Sequence, residues 1–477
     1  MANMDERYKY IFERRNYFLS SNEGIYNLCR DSYIGGNAYS ADKYLINNMS
    51  GKEPPEIFDY RSQLVSYTNH VEPTLNIVIG SIYRKEPDRS KVPSFMDYAF
   101  KGIYKGKGLN LLMHNIGTQS ELYPVAVLVD TPKIPNPITV AERNINNINP
   151  FIQIYKFNEI RDFALDDQGR IQWILLDNTY IDNSDPYSKP VTIVAYTLWD
   201  KMTATTFTKV SEKEVVVSPP VEHGLGEVPV VFSGFNNLDN DELQSYPFQN
   251  IALSSRKIYN VGSMIDSVLF NNTFQLLTIA GKAPDQIISK GYGSVGVLEY
   301  EMDSSNPPEF IKSSLDDTTA YINEIKRQSQ DIYHQLGLKD PESEAVQYDS
   351  GKLKSIEYAQ KTKNILYKIA TELEHTENEI IRICALYEGK EIDPEIKYNT
   401  DFDVEDVNNI KNELDIIFKN YPYDSLRKEV AKQRAMLTLG EDNENIDKII
   451  NDIEGTSIEE VVTTTDVPTD NTEKNQE

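Results

Sequence analysis

Few residues of this chain have the types and spacing that chemistry needs. Gly291-Tyr292-Gly293-Ser294-Val295-Gly296 has the G-x-G-x-x-G spacing of a dinucleotide loop. Such a loop works when it opens a helix whose N-terminal amides face a pyrophosphate. Here the strand-like run VLEYEM follows and no βαβ pattern surrounds it, so tight turns in a small β module fit better. Gly102-Ile103-Tyr104-Lys105-Gly106-Lys107 approaches a phosphate-binding P-loop. Three residues rather than four separate its glycines, and Gly108 stands where a Ser or Thr would hold magnesium. With that loop length the backbone amides do not surround a phosphate. If an ATP-driven motor works beside this protein, it is another chain.

The five histidines, His70, His114, His223, His334 and His375, are isolated in sequence. None has the i, i+4 partner of a helical zinc site, and no cysteine lies nearby to complete one. Asp401 and Asp403 would share a face of a strand, as a two-metal carboxylate pair requires. Among 74 acidic residues such a coincidence carries little weight. No G-x-S-x-G elbow occurs, and neither cysteine has a nearby base. The inventory predicts no enzyme, no metal and no cofactor. Lys101–Lys107 with Tyr104 mixes cations and an aromatic ring, as nucleic-acid surfaces do, but over only seven residues an ordinary solvated loop is the better reading.

Composition narrows the classes further. The chain has 477 residues, 39% of them hydrophobic and 26% charged, enough to bury sizeable cores in two to four domains' worth of chain. No uncharged apolar run approaches the roughly 20 residues of a membrane span. MANMDERYKYIFERR carries charges where a secretory leader needs an apolar stretch. Cys29 and Cys384 are too far apart in sequence to frame a disulfide scaffold, which fits a reducing compartment. The net charge of −26 argues against a surface that clamps nucleic acid by neutralising phosphates. It does not argue against a protein that handles DNA without gripping it. The charge is uneven: residues 391–477 hold 9 basic and 23 acidic side chains, a net of −14. From Gly455 the chain reads as a disordered acidic tail.

The elements that would position any site follow from periodicity. The first 120 residues read mainly as helices, with Val71, Leu75, Val78 and Ile82 forming a one-sided stripe and Pro73 near its start. After Tyr123 the period changes. VAVLVDTP (125–132), FIQIYKF (151–157), IQWILLD (171–177) and VTIVAYTLW (191–199), separated by turn clusters, predict a mostly antiparallel sheet over 120–235. One long helix is predicted from Glu242 to Ala280. A proline- and glycine-punctuated module over 281–312 follows, with QIISK, VGVLEYEM and EFIK as small strands. A second long helix carries Ile322, Ile325, Ile332 and Leu336 and breaks at Gly337. A third runs from Leu353 to Tyr387, EIKYNTDFD (395–403) reads as a strand, and three short amphipathic helices lead to the tail.

This order of segments resembles the portal proteins of tailed bacteriophages, the head-to-tail connector rings. YTNHVEPTLNIVIGSIYRKEP resembles the wing helix ending in a basic-Pro pair, here split by Glu86. HGLGEVPVVFSGFNN is similar to the turn and strand before the stem. ALSSRKIYNVGSMIDSVLFNNTFQLLTIAG resembles the first stem helix, DSGKLKSIEY falls where portals carry the tunnel loop and the start of the long kinked helix, and ELDIIFKNYPYDSLRKEVAKQRAMLTLGEDNENIDKIINDIEG resembles the crown. The resemblance implies an α+β fold: a helical and β wing (1–241), a first stem helix (242–280) and a small β clip (281–315). A second stem helix (316–337) and a tunnel loop (338–352) come next. A long kinked wing helix and returning strand (353–403), a helical crown (404–454) and the tail (455–477) complete it. Two helices flanking a β insertion make a hairpin whose modest apolar stripes need neighbours, as a closed ring supplies.

The resemblance also implies partners and sites. They are a homo-oligomeric ring of twelve, double-stranded DNA in its channel, terminase large subunit, capsid or scaffold protein and a neck adaptor, with no membrane. The location would be one virion vertex, after assembly in the host cytoplasm. Lys339, Gln347 and Tyr348 would face DNA from the tunnel loop, with Asp340, Glu342 and Glu344 restraining close approach. Gln286, Lys290, Tyr292, Glu299, Glu301 and Glu309 of the clip would dock terminase and then the adaptor. Competing expectations are another non-catalytic virion connector, of tail or baseplate, and a metal-dependent enzyme.

Overall fold

Helices occupy the first 120 residues because apolar side chains recur there at three- and four-residue spacing. In a computed structural model they are α1 (Tyr17–Ile34), α2 (Ala41–Tyr44), α3 (Pro55–Leu64), α4 (Val71–Ile82), α5 (Ala99–Gly102) and α6 (Leu109–Ser120). The structure describes residues 8, 10–47, 53–132, 149–211, 214–235, 247–273, 276–281, 297–300, 309–311, 316–338, 350–400, 402, 424–439 and 446–455. Among these, 50% are helical and 21% strand, an α+β composition. The chain divides into two units, Met1–Phe402 and Asp403–Glu477.

The predicted stripe of α4 is the centre of the larger unit's core. Val71, Leu75, Val78 and Ile82 are all buried, and Pro73 falls in the first turn, where a missing amide hydrogen costs nothing. Leu109, Leu112, Met113 and Ile116 of α6 pack into the same cluster. Gly117 allows the closest approach there: a Cβ at this position would lie 3.1 Å from Leu373 Cδ1.

Residues 120–235 form two sheets rather than one, and every strand pair in them is antiparallel. The smaller has β1 (Val125–Asp130) between β2 (Phe151–Lys156) and β10 (Val230–Ser233). Val125 to Val129 are buried without alternation, as a strand covered on both faces requires. The larger runs β3 (Ile160–Leu165), β4 (Ile171–Asp177), β6 (Val191–Asp200), β7 (Thr203–Ser211) and β8 (Glu214–Val217) in order. β5 (Tyr180–Asp182) joins β6, and β9 (Val221–Glu222) joins β7. Phe163 bridges the sheets, its ring 5.1 Å from Phe232 and 5.6 Å from Phe235.

Three sequence expectations need correcting. The helix predicted over 242–280 is α7, Pro247–Thr273, and Leu276–Ala280 form a strand, β11. Asn271, Asn272 and Thr273 are poor helix residues, and Leu277 and Ile279 then alternate into burial, the period of a strand. The third helix, α9, spans Ser350–Tyr387, so residues 350–352 of the expected tunnel loop are helical. The expected strand 395–403 needs correcting over its described residues, 395–400 and 402, among which only Lys397 bridges, to Asp88. Side chains of α9 take the ladder's place. Asn378 Oδ1 accepts from Ile396 N at 2.9 Å, and a Glu374 carboxylate oxygen accepts from Tyr398 N at 2.9 Å.

The smaller unit contains α10 (Asp424–Leu439) and α11 (Ile446–Gly455), joined by Lys432 to Glu454 at 2.6 Å. The first of the three amphipathic helices expected there lies outside the described residues, as do Asp401, Asp403 and the tail beyond Gly455.

Candidate functional site

The region built most unlike an ordinary core is a helical hairpin closed by a small sheet. Helix α7 leads into β11, and β11 is the middle strand between β12 (Val297–Tyr300) and β13 (Glu309–Ile311). Strand β11 runs parallel to β12 and antiparallel to β13, with Leu276 opposite Ile311. Strand β13 returns the chain to α8 (Asp316–Leu336), which packs back along α7. Lys257 of α7 and Arg327 of α8 both bind Glu324 on α8. Hydrogen bonds from Arg327, then from Lys257, hold the Glu324 carboxyl well below the usual carboxylate range.

The base of this hairpin is fastened by buried polar groups. The Arg61 guanidinium is 2% exposed, so it must be paired to be tolerated. Its Nη1 donates to Ser263 Oγ of α7 at 2.8 Å, and Nη2 donates to Ile46 O at 2.8 Å and Glu53 Oε2 at 3.0 Å. Asn260 of α7 accepts from Ile46 N at 2.7 Å and donates to Tyr44 O at 3.1 Å. Tyr39 stacks between Tyr67 and Tyr44, with Tyr259 of α7 edge-on at 5.2 Å. On the other side, Thr362 Oγ1 of α9 lies 2.8 Å from Leu336 O and 3.0 Å from Gly337 O, closing the end of α8. Gly337 has a φ of +68°, which ends the helix.

Helix α9 is itself pinned by a second buried group. Glu377 is fully buried and accepts from Arg89 Nε at 2.6 Å and Nη2 at 3.1 Å. Tyr398 donates to the same carboxylate at 2.5 Å, and Arg89 Nη1 reaches Asn110 Oδ1 at 2.8 Å. Four chain segments therefore meet at one ion pair. Nearby, Glu372 accepts from Gly234 N at 2.7 Å. Burial, then the Glu372 charge, pushes Glu121 up to about 8, with Lys368 opposing.

Of the expected clip residues, Glu299 is exposed on β12 opposite Ile279, and Glu309 lies on β13 opposite Thr278. Gln286, Lys290, Tyr292 and Glu301 lie outside the described residues, with QIISK and the glycine loop 291–296. So do Lys339, Asp340, Glu342, Glu344, Gln347 and Tyr348. Comparison of the chain with protein-family models and with curated proteins returns no match. Among the described residues no three His, Cys, Asp or Glu side chains are grouped to hold a metal ion, and none of the helices is long and apolar enough to cross a membrane. Burial pushes the Cys29 and Cys384 thiols up to about 12, away from nucleophilic use.

The anchors Arg61, Glu53, Ser263, Arg89 and Glu377 escape sequence reading. Arg61 and Ser263 are 202 positions apart and Arg89 and Glu377 are 288 apart, so no local pattern connects them. Arg89 stands two residues beyond the split basic-Pro pair, the one signal near it.

Proposed function

We propose that this chain is a ring-forming portal subunit of a tailed-phage capsid, a channel for packaging and ejecting double-stranded DNA. What supports the reading is one arrangement: a helix–small sheet–helix hairpin followed within fourteen residues by the 38-residue helix α9. The order corresponds to stem, clip, stem and long wing helix in the family that the sequence resembles. Leu253 of α7 and Ile322 of α8 are each 42% exposed on the hairpin flanks, where neighbouring subunits would cover them.

The proposed mechanism is passive. Subunits of charge −26 give a wall that repels phosphates, so duplex slides instead of releasing counterions and sticking. Lys339, Gln347 and Tyr348, between α8 and α9, would touch the DNA, with Asp340, Glu342 and Glu344 limiting the approach. The hairpin tip, with Glu299 and Glu309, would dock terminase and later a neck adaptor.

The purified full-length chain should give twelve-fold rings with a central hole in negative-stain images. A monomer with metal-dependent turnover would overturn the reading in favour of an enzyme; another ring symmetry or an open stack would favour a tail or baseplate connector. Within the portal reading, Gln347→Ala with Tyr348→Ala should reduce genome retention while rings still assemble. Unchanged packaging and retention would remove the DNA-contact role from this loop.

A further inference from the structure

The Lys101–Lys107 segment is more than a solvated loop. Tyr104 and Lys107 exchange backbone hydrogen bonds at 3.1 and 2.7 Å around Lys105 and Gly106, whose φ values are +45° and +75°. That is the geometry of a tight two-residue hairpin turn. The turn is held from both ends. Ile152 N of β2 donates to Ile103 O at 2.9 Å, and Gly108 lies so close to Phe100 that a Cβ would fall 2.1 Å from its carbonyl oxygen. Lys107 is thus presented on a fixed backbone beside β2, the strand that ends in Lys156.

These two lysines and Arg30 of α1 line one cavity of about 440 Å³, within the range of small-molecule sites. Its walls include Tyr33, Tyr104 and Tyr123, and none of its lining residues is an Asp or Glu. In a chain of net charge −26 that is an unusual concentration of one sign. Two carboxylates border it, and each has partners of its own. Asp31 binds Arg30 through Nε and Nη2 while also accepting from Tyr44 and Lys43, and Glu159 accepts from the Lys156 backbone amide at 2.8 Å. Among the described residues neither Lys107 nor Lys156 has an acidic partner within 4 Å.

We infer that this cavity binds a nucleotide unit, its phosphate between Lys107 and Lys156 and its base against the tyrosine walls. Cations without carboxylates select a phosphate, and aromatic faces select a flat base over a bare anion. The unit could come from a free nucleotide or from the 5′ end of a strand. The inference does not rest on the portal reading, since cavity and cations belong to a single chain.

Calorimetric titration of the full-length chain tests it with adenosine monophosphate, adenosine, inorganic phosphate and a 5′-phosphorylated single-stranded oligonucleotide. The monophosphate should bind, and adenosine and inorganic phosphate should bind at least about tenfold more weakly, about 1.4 kcal/mol. Lys107→Ala with Lys156→Ala should weaken binding at least tenfold without lowering the melting temperature. Lys105→Ala, on the same turn but outside the cavity lining, should leave it within about twofold. Tighter binding of the oligonucleotide assigns the site to a strand end, and equal or weaker binding assigns it to a free nucleotide. No binding of either, equal binding of inorganic phosphate, or an equal loss in Lys105→Ala would overturn the inference.

Discussion

Arg89, 11% exposed, meets the fully buried Glu377, and Tyr398 completes the acceptor's shell. Removing one member leaves the other charged and buried, which costs about 3–5 kcal/mol. Arg89→Ala should therefore lower the urea-unfolding free energy of the unit by about that amount, and Glu377→Gln in the same background should recover some of it. Glu121 behaves differently. Its folded-state pKa of about 8 lies above the ordinary 4.5, so the folded state holds the proton more tightly than the unfolded one. Stability on its account is greatest below pH 4.5, falls as pH rises through about 8, and is level above that. The side chain is only partly covered, which moderates the effect. Glu121→Gln should be near-neutral at pH 4.5 and stabilising by about 1–3 kcal/mol at pH 9, read from paired melting curves.

Elements are legible wherever local pattern alone decides. The stripe of α4, the strand IQWILLD and the helix α8 follow from periodicity, because burial there repeats at the spacing of the structure. Strand β7 is not: TATTFTKVS carries five Thr or Ser and alternates weakly, and its pairing to β6 after the Asp200 turn decides it. The helix end at Thr273 and the segment 395–398, with its single bridge to Asp88, depend on partners distant in sequence. Of the candidate cavity's three cations only Lys107 is legible, since Arg30 and Lys156 come from other elements. HGLGEVPVVFSGFNN contains one residue type that the backbone dictates, Gly234. It has a φ of +73°, and a Cβ there would lie 2.5 Å from Ser120 O. Gly234→Ala should destabilise by about 2–4 kcal/mol, visible as a lower melting temperature, and should loosen the Glu372 bond to its amide.

At the scale of the whole molecule, the exposed apolar flanks of the hairpin matter most. If the chain assembles into the proposed ring, Leu253→Glu and Ile322→Glu each place a charge on a flank that a neighbouring subunit would cover. Each should shift the assembled fraction toward monomer in analytical ultracentrifugation while leaving the far-ultraviolet circular dichroism unchanged. Normal assembly with both changes would move the subunit interface elsewhere. The acidic excess of residues 391–477 is the other whole-molecule property, and most of it belongs to the smaller unit.

The strand order of the hairpin tip has a mechanical consequence. In the chain β11 follows α7 and β13 precedes α8, and the two strands pair antiparallel with Leu276 opposite Ile311. Tension applied along β11 and β13 would load their ladder hydrogen bonds together, in shear. Strand β12 has β11 as its one described neighbour. A load lifting it sideways would break its bonds in succession, like a zip. The tip is therefore stiff to a pull along its strands and yields to one that lifts its β12 edge.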